Sequence, residues 1–448
     1  MKSFSEIARA QHQFFIEGNT FPIPFRLGAL AALEGQLKEN EAKICDALAA
    51  DFAQCPTETY LSEIAPIFRE IHYLLKKLRK NMRTQKVRGL SFSGASKIQI
   101  ASFPYGVCLH YSSWKNPIYS ALLPVIDAIA GGNTLILKPN DLTPHTSKIL
   151  RDILHQCFED EFIHVYEQEI PLEELDAVQK VSFWGEKKEA ISLLSTCQSK
   201  EISFAAFYSG KNPCIVTREA DISQAAKQIV RGKFQNSGQN FFSPEYVLVD
   251  QTLYDAFVTQ VKNEIEESYG KDPLSSPDLT AIVHPHQYRK LVDLIATFPN
   301  EIVGGQYDSE TQKIAPTLLL VKELSQLPEE ELNGPILPIF ATSSVEEAAQ
   351  ALGNTEPSPA FYGFSSEKSP LFDFSSFPNA KILCKNQCIF VPPAGILLHQ
   401  LSSGGASQDS VPYSKTVTLL EPSKKKMPNY LFPPFGNGDF QKIKKGFK

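Results

Sequence analysis

Residues 237–246 read Ser237-Gly238-Gln239-Asn240-Phe241-Phe242-Ser243-Pro244-Glu245-Tyr246. Just upstream, residues 222–234 carry apolar side chains at helical spacing; just downstream, residues 246–249 form a short apolar run of strand type. The quoted stretch is therefore the loop that leads out of a helix and into a strand, and the same alternation continues in both directions. Toward the C-terminus the pattern predicts helices over 253–269, 288–298 and 345–352, and a strand over 335–341. Toward the N-terminus it predicts strands at 214–216, 203–207, 177–183, 134–138 and 106–111, with helices over 117–130 and 145–158. Strands alternating with helices in this way build parallel sheets covered on both faces.

The first eighty residues read as helices. Phe4, Ile7 and Ala8 mark the first. A long amphipathic run over 26–52 aligns Leu27, Leu30, Leu33, Leu37, Ile44 and Leu48, and a third run over 60–78 carries Ile64, Ile67, Phe68, Ile71 and Leu75. Residues 80–96, basic and then rich in Gly and Ser, read as a connection, and 97–111 as a strand pair.

A chain of 448 residues has room for two or three domains, and 42% hydrophobic with 21% charged residues describes a folded protein. A formal charge of −6 gives no attraction for nucleic acid. The opening Met1-Lys2-Ser3-Phe4-Ser5-Glu6 lacks an apolar leader core, and the most apolar stretch, 119–137, is interrupted by Asp127, Gly131, Gly132 and Asn133. No membrane span is expected. The eight cysteines are scattered, with no Cys-x-x-Cys pair and no Cys/His set at zinc spacing, so the expectation is a cytoplasmic protein with reduced thiols and no metal. His284 and His286, flanking Pro285 at a helix entry, read as structural.

Several segments occur in an order that resembles the aldehyde dehydrogenase family, closest to its class 3, fatty-aldehyde-type members. They include Pro24-Phe25-Arg26, Pro104-Tyr105-Gly106-Val107, Ser113-Trp114, Ala130-Gly131-Gly132-Asn133 with Leu137-Lys138-Pro139, and Ser209-Gly210-Lys211-Asn212-Pro213. Gly232-Lys233-Phe234, Ala315-Pro316-Thr317, Asn333-Gly334-Pro335, Gly404-Gly405 and Phe432-Pro433-Pro434-Phe435 follow. The resemblance implies an α/β fold of three parts: a Rossmann-like domain from 1–85 and 105–207, a catalytic-type α/β domain from 208–385, and bridging or oligomerisation strands with a tail from 86–104 and 386–448.

The same resemblance implies that the chemistry is altered. Phe241 stands where the family carries its nucleophilic Cys, Phe207 where it carries its general-base Glu, and Lys115 where it carries an oxyanion-holding Asn. A phenyl ring cannot form a thiohemiacetal, so no catalytic residue is expected. In the turn that cradles the dinucleotide pyrophosphate, Phe183-Trp184-Gly185-Glu186-Lys187-Lys188-Glu189 sets a carboxylate toward phosphate oxygens, with Lys187 and Lys188 as partial compensation. Lys138 and Glu331 match ribose-contacting positions and are the vestigial cofactor-binding residues. Trp114, Asn116, Trp184, Phe242 and Asn333 are the expected pocket lining. No cofactor is expected, and NAD(P) binding is expected to be impaired. The leading reading is an inactive homologue, dimeric with itself or joined to an active paralogue. Alternatives are an NAD(P)-dependent aldehyde dehydrogenase or other enzyme with non-standard residues, including a lysine-based reaction at Lys115 or thiol rescue by Cys108 or Cys214, and a ligand-sensing module in the remodelled cleft.

Overall fold

The computed structural model describes residues 2–82, 85–87, 98–100, 103–344, 358–372, 380–389, 418–420 and 439–446, with single residues 347, 352, 434 and 436. They divide into two compact units: one from residues 2–47 and 63–208, the other from 48–62 and the described residues from 209 onward. The expected helix over 345–352 and the apolar tail at 430–435 lie largely outside the described residues.

The first unit contains a two-stranded antiparallel ribbon, β1 (Gln85–Val87) with β2 (Ile98–Ile100). It also contains a five-stranded parallel sheet of β3 (Val107–Tyr111), β4 (Thr134–Lys138), β5 (Ile163–Val165), β6 (Lys180–Gly185) and β7 (Ser203–Tyr208), in the order β5-β4-β3-β6-β7. The expected strand pair within 97–111 is thus corrected. β2 pairs back to β1, inside the stretch read as a connection, while β3 joins the parallel sheet. Gly106, at φ +119°, separates β2 from β3 with a backbone turn that other residues resist.

The helices of this part are α1 (Phe4–Ile16), α2 (Ile23–Glu39), the first half of α3 (Glu41–Phe52), α5 (Ala65–Asn81), α6 (Pro117–Gly131), α7 (Pro144–Cys157) and α8 (Lys187–Ser199); α4 (Pro56–Thr59) and the end of α3 fall in the second unit. The long run over 26–52 is two helices, not one. Asn40 ends α2 because its side-chain amide donates to the Gln36 carbonyl at 2.9 Å, supplying an orphan acceptor of the last turn. The helix α1 buries Phe4, Ile7 and Ala8 in one cluster with Val107, Leu109, Ile136 and Val181 of the sheet.

Two of the motif segments explain themselves here. The buried guanidinium of Arg26 donates to the carbonyls of Thr20 (2.8 Å), Phe21 (3.0 Å) and Ala130 (3.1 Å), the last at the end of α6. Gly132 sits at φ +82°, and a Cβ there would lie 2.4 Å from an Arg26 nitrogen. Asn133 Oδ1 then accepts from the backbone N–H groups of Tyr105 (2.6 Å) and Gly106 (3.1 Å), setting the start of β3.

The second unit is an eight-stranded sheet in the order β10-β13-β14-β9-β8-β15-β16-β17. Its strands are β8 (Asn212–Val216), β9 (Pro244–Asp250), β10 (Ile302–Val303), β13 (Thr317–Leu320), β14 (Ile336–Thr342), β15 (Ser358–Phe364), β16 (Ala380–Lys385) and β17 (Thr418–Leu420); β11 (Tyr307–Asp308) and β12 (Lys313–Ile314) form a separate hairpin. All neighbours in the large sheet are parallel except β10 and β13. Besides α4 and the end of α3, its described helices include α9 (Ile222–Phe234), α10 (Tyr254–Tyr269), α11 (Pro285–Thr297) and a short C-terminal helix, Asp439–Gly446. Residues 48–62 fall in this unit, whereas the expected first domain ran unbroken to 85. The Ala281 N–H donates to the Phe52 carbonyl at 2.7 Å, and Glu58 accepts from the Asn236 N–H. Among the described residues, no helix is long and apolar enough to cross a membrane.

Candidate functional site

In the first unit, the expected residues gather beyond the C-terminal ends of β3 and β6 and on β7, the side of a parallel sheet where successive loops converge. Lys115 is fully buried, with Nζ 3.2 Å from Glu186 Oε1 and 5.5 Å from the Trp114 ring centroid. Glu186 is the residue immediately before α8, so its carboxylate stands at the positive end of that helix; its side chain is 39% exposed. Lys115 and Glu186, the latter in the turn that the resemblance assigns to the dinucleotide pyrophosphate, thus neutralise each other.

Trp184 on β6 and Phe207 on β7 are directly paired in register, with ring centroids 4.6 Å apart, and Tyr119 meets Trp184 edge-on at 5.9 Å. Both Trp184 and Phe207 are buried. Asn116, expected to line a pocket, instead turns inward. It holds a left-handed conformation (φ +47°) before Pro117, and its amide donates to Glu63 Oε1 at 3.0 Å. Glu63 Oε2 also accepts from the Tyr119 N–H at 2.9 Å, so this carboxyl, in the turn before α5, caps the start of α6. Burial pushes the Glu63 pKa up to about 7, against the pull of these hydrogen bonds. Lys138 Nζ donates to Asp141 Oδ1 at 2.6 Å and to the carbonyls of Pro139 and Glu167.

In the second unit, the loop after α9 keeps an unusual form. Asn236, Ser237 and Gly238 all have positive φ (+50°, +48°, +74°). Gly238 is required: a Cβ there would lie 2.3 Å from the Gly334 carbonyl oxygen. The strain is held by side chains. Gln54 Nε2 donates to Asn236 Oδ1 (3.3 Å), Ser237 Oγ to the Thr280 carbonyl (2.5 Å), and Gln239 Nε2 to the Ala281 carbonyl (2.9 Å). Glu58 accepts the Asn236 N–H, and its burial raises its pKa to about 8. Phe241 and Phe242, carried by this loop, are 1% and 2% exposed. Their carbonyls accept from Asn212 Nδ2 (3.0 Å, Phe241) and from the Tyr362 hydroxyl (Phe242). Asn333 is also left-handed, at φ +47°, and half-buried. Glu331 faces the buried Lys233 and Glu245, whose Nζ and Oε2 are 3.8 Å apart.

Cys108 and Cys214 are buried; burial pushes the first up to about 12 and the second well above the ordinary thiol range, so neither is a reactive thiolate. Glu58 and Glu63 did not stand out in the sequence, and Lys233 and Glu245 stood only within quoted segments, without a role of their own. The signal for the first two was a carboxylate at apolar positions of a helical run over 56–64.

The aldehyde dehydrogenase family model matches residues 3–372. The aldehyde dehydrogenase of Craterostigma plantagineum is 33% identical over 372 residues, which is 81% of this chain and 77% of that one. The dimeric NADP-preferring aldehyde dehydrogenase of Canis lupus familiaris is 31% identical over 375 residues, 82% of this chain and 81% of that one. Among solved structures, the substrate-bound AldH of Staphylococcus aureus superposes with a TM-score of 0.82 at 27% identity, covering 100% of both chains. By sequence and by fold, the chain belongs to the aldehyde dehydrogenase family.

Proposed function

We propose that this member of the family does not oxidise aldehydes and serves as a non-catalytic subunit, dimeric with itself or with an active paralogue in the cytoplasm. The observation that carries the reading is the ion pair between Lys115 and Glu186. Lys115 is aligned with the family's oxyanion donor and Glu186 with its phosphate-cradling turn. A dinucleotide pyrophosphate approaching the N-terminus of α8 meets a carboxylate beside the helix's backbone donors, so the residues present do not fit that group. Lys138, aligned with a ribose contact, is engaged by Asp141 at 2.6 Å. Phe241 and Phe207, aligned with nucleophile and base, are buried rings that neither attack nor accept a proton.

The relatives named above are described as dehydrogenases, one of them dimeric and NADP-preferring. They support a second reading, an enzyme with non-standard residues. Rescue by Cys108 or Cys214 is disfavoured by their burial. A carboxylate 3.2 Å from Lys115 likewise argues against an amine nucleophile there. The ligand-sensing reading gains nothing from Trp184 packed against Phe207.

Calorimetric titration of the full chain with NAD and with NADP tests the proposal. It predicts no saturable heat up to about millimolar nucleotide. A dissociation constant of about 1 μM, some −8 kcal/mol of binding, would overturn it.

A further inference from the structure

A second cluster of chemistry-bearing side chains lies in the first unit, away from the residues discussed so far. His155 is in the last turn of α7, Asp160 in the short connection that follows, and His164 on β5. One ligand atom from each lies within 4.8 Å of the other two. His164 Nδ1 is 2.8 Å from Asp160 Oδ1, and the two imidazole ring centroids are 5.6 Å apart with planes 32° from parallel. The cluster sits at the N-terminal end of β5, the sheet's edge strand, whereas Lys115 and Glu186 follow the C-terminal ends of β3 and β6.

We propose that His155, Asp160 and His164 form a binding site for one borderline divalent metal ion of the zinc, nickel or copper class. Two imidazoles and a carboxylate are the donor set that such ions take, at bond lengths of about 2.0–2.2 Å. Donors around one ion then lie roughly 3–3.5 Å apart, so small rotations of these side chains complete the set. The backbone that carries them is already fixed. Phe158 N–H donates to the Leu154 carbonyl at 2.9 Å, Phe162 N–H to the Glu159 carbonyl at 2.9 Å, and Gln11 Nε2 to the Asp160 carbonyl at 3.1 Å. The Leu135 N–H of β4 bonds the Phe162 carbonyl at 3.0 Å, at the entry to β5. Three protein ligands leave the remaining coordination positions to water.

Charge near the site runs both ways. Lys2 Nζ holds Asp160 Oδ2 at 3.1 Å and Arg151 is close to His155, while Asp152 and Glu161 add negative charge. The ion therefore takes Asp160 through Oδ1, the oxygen facing His164. The spacing His-x4-Asp-x3-His is visible in the sequence, but it does not match a zinc-finger arrangement and the expectation was of no metal. The α-to-β turn is what brings the three together.

The test is titration of tag-free full-length protein at pH 7.5 with zinc chloride and, separately, nickel chloride. One ion per chain is expected, with a dissociation constant in the micromolar range. His155→Ala and Asp160→Asn should each weaken it at least tenfold while leaving the circular dichroism spectrum unchanged. On the unaltered chain, bound copper(II) should give a spin-resonance spectrum with coupling to imidazole nitrogen, a readout that does not depend on the variants folding. Binding weaker than millimolar, affinity unchanged by both variants, or a copper spectrum without nitrogen coupling would each overturn the assignment.

Discussion

The pairing of Lys115 with Glu186 makes an asymmetric prediction, because the two partners are unequally buried. Lys115 is 0% exposed and Glu186 39%. Two unit charges at this range interact by about 5 kcal/mol at an effective dielectric of 20, before desolvation is charged against them. Glu186→Gln leaves the ammonium inside the protein facing a neutral amide. Removing one partner of a fully buried pair costs about 3–5 kcal/mol; with Glu186 partly open to water we expect about 2 kcal/mol. Lys115→Met keeps the aliphatic stem and lets Glu186 hydrate, costing about 1 kcal/mol or less. The double variant should resemble Lys115→Met alone, which gives a coupling energy of about 2 kcal/mol. Both tryptophans of the chain, Trp114 and Trp184, lie in the first unit, so tryptophan fluorescence follows the unfolding of that unit selectively. Urea unfolding at pH 7 yields the four midpoints. In thermal melts, 2 kcal/mol corresponds to roughly 4–8 °C for a unit of this size. The coupling should shrink in about 1 M salt, where the Debye length falls to about 3 Å. Equal effects of the two single substitutions, or a coupling below about 0.5 kcal/mol, would refute the reasoning.

Two further outcomes follow from other parts of the chain. Asp127, inside α6, is fully buried, and neither carboxylate oxygen has a hydrogen-bond partner among the described residues; burial first, and then Glu70, raise its pKa well above the usual carboxylate range. Its folded pKa exceeds its unfolded value of about 3.9, so the stability it confers is full below that pH and is lost as pH rises toward the folded value. Asp127→Ala should therefore stabilise the first unit by about 1–3 kcal/mol at pH 7 and by little at pH 4, read by urea midpoints; an equal effect at both would contradict the assignment. Under the proposed subunit role, a dimer is the expected state in solution. Light scattering at micromolar concentration should give twice the chain mass, and a monomer both alone and beside an active paralogue would remove the support for a subunit role.

Much of this architecture was legible because it rests on local rules. The alternation of strand and helix follows apolar periodicity, and the loop at 237–246 follows from a helix ending at Phe234 and a strand starting near Tyr246. Arg26 and the Gly131-Gly132-Asn133 turn could be picked out as separate segments of the resemblance. Their reason became visible only when the guanidinium was seen to fill the space that a side chain at 132 would need. The break at Asn40 escaped the periodicity because the apolar pattern continues across it while one side-chain amide ends the helix. The β1–β2 ribbon escaped because it pairs across a stretch whose composition reads as a connection. Lys115 and Glu186 each looked odd alone; no local rule joins them, and it takes the adjacency of β3 and β6 in the sheet to bring them within 3.2 Å. Glu58 and Glu63 did not stand out, yet Glu58 satisfies a backbone N–H of the loop after α9 and Glu63 one at the start of α6, both from inside.

The proposed loss of the family's chemistry can be read directly by following NADH and NADPH formation from saturating aliphatic and aromatic aldehydes with the purified chain. With Phe241, Phe207 and Lys115 in place, no turnover above the uncatalysed rate is predicted. A rate of about 1 per second or more, in the range of ordinary enzymes, would contradict it.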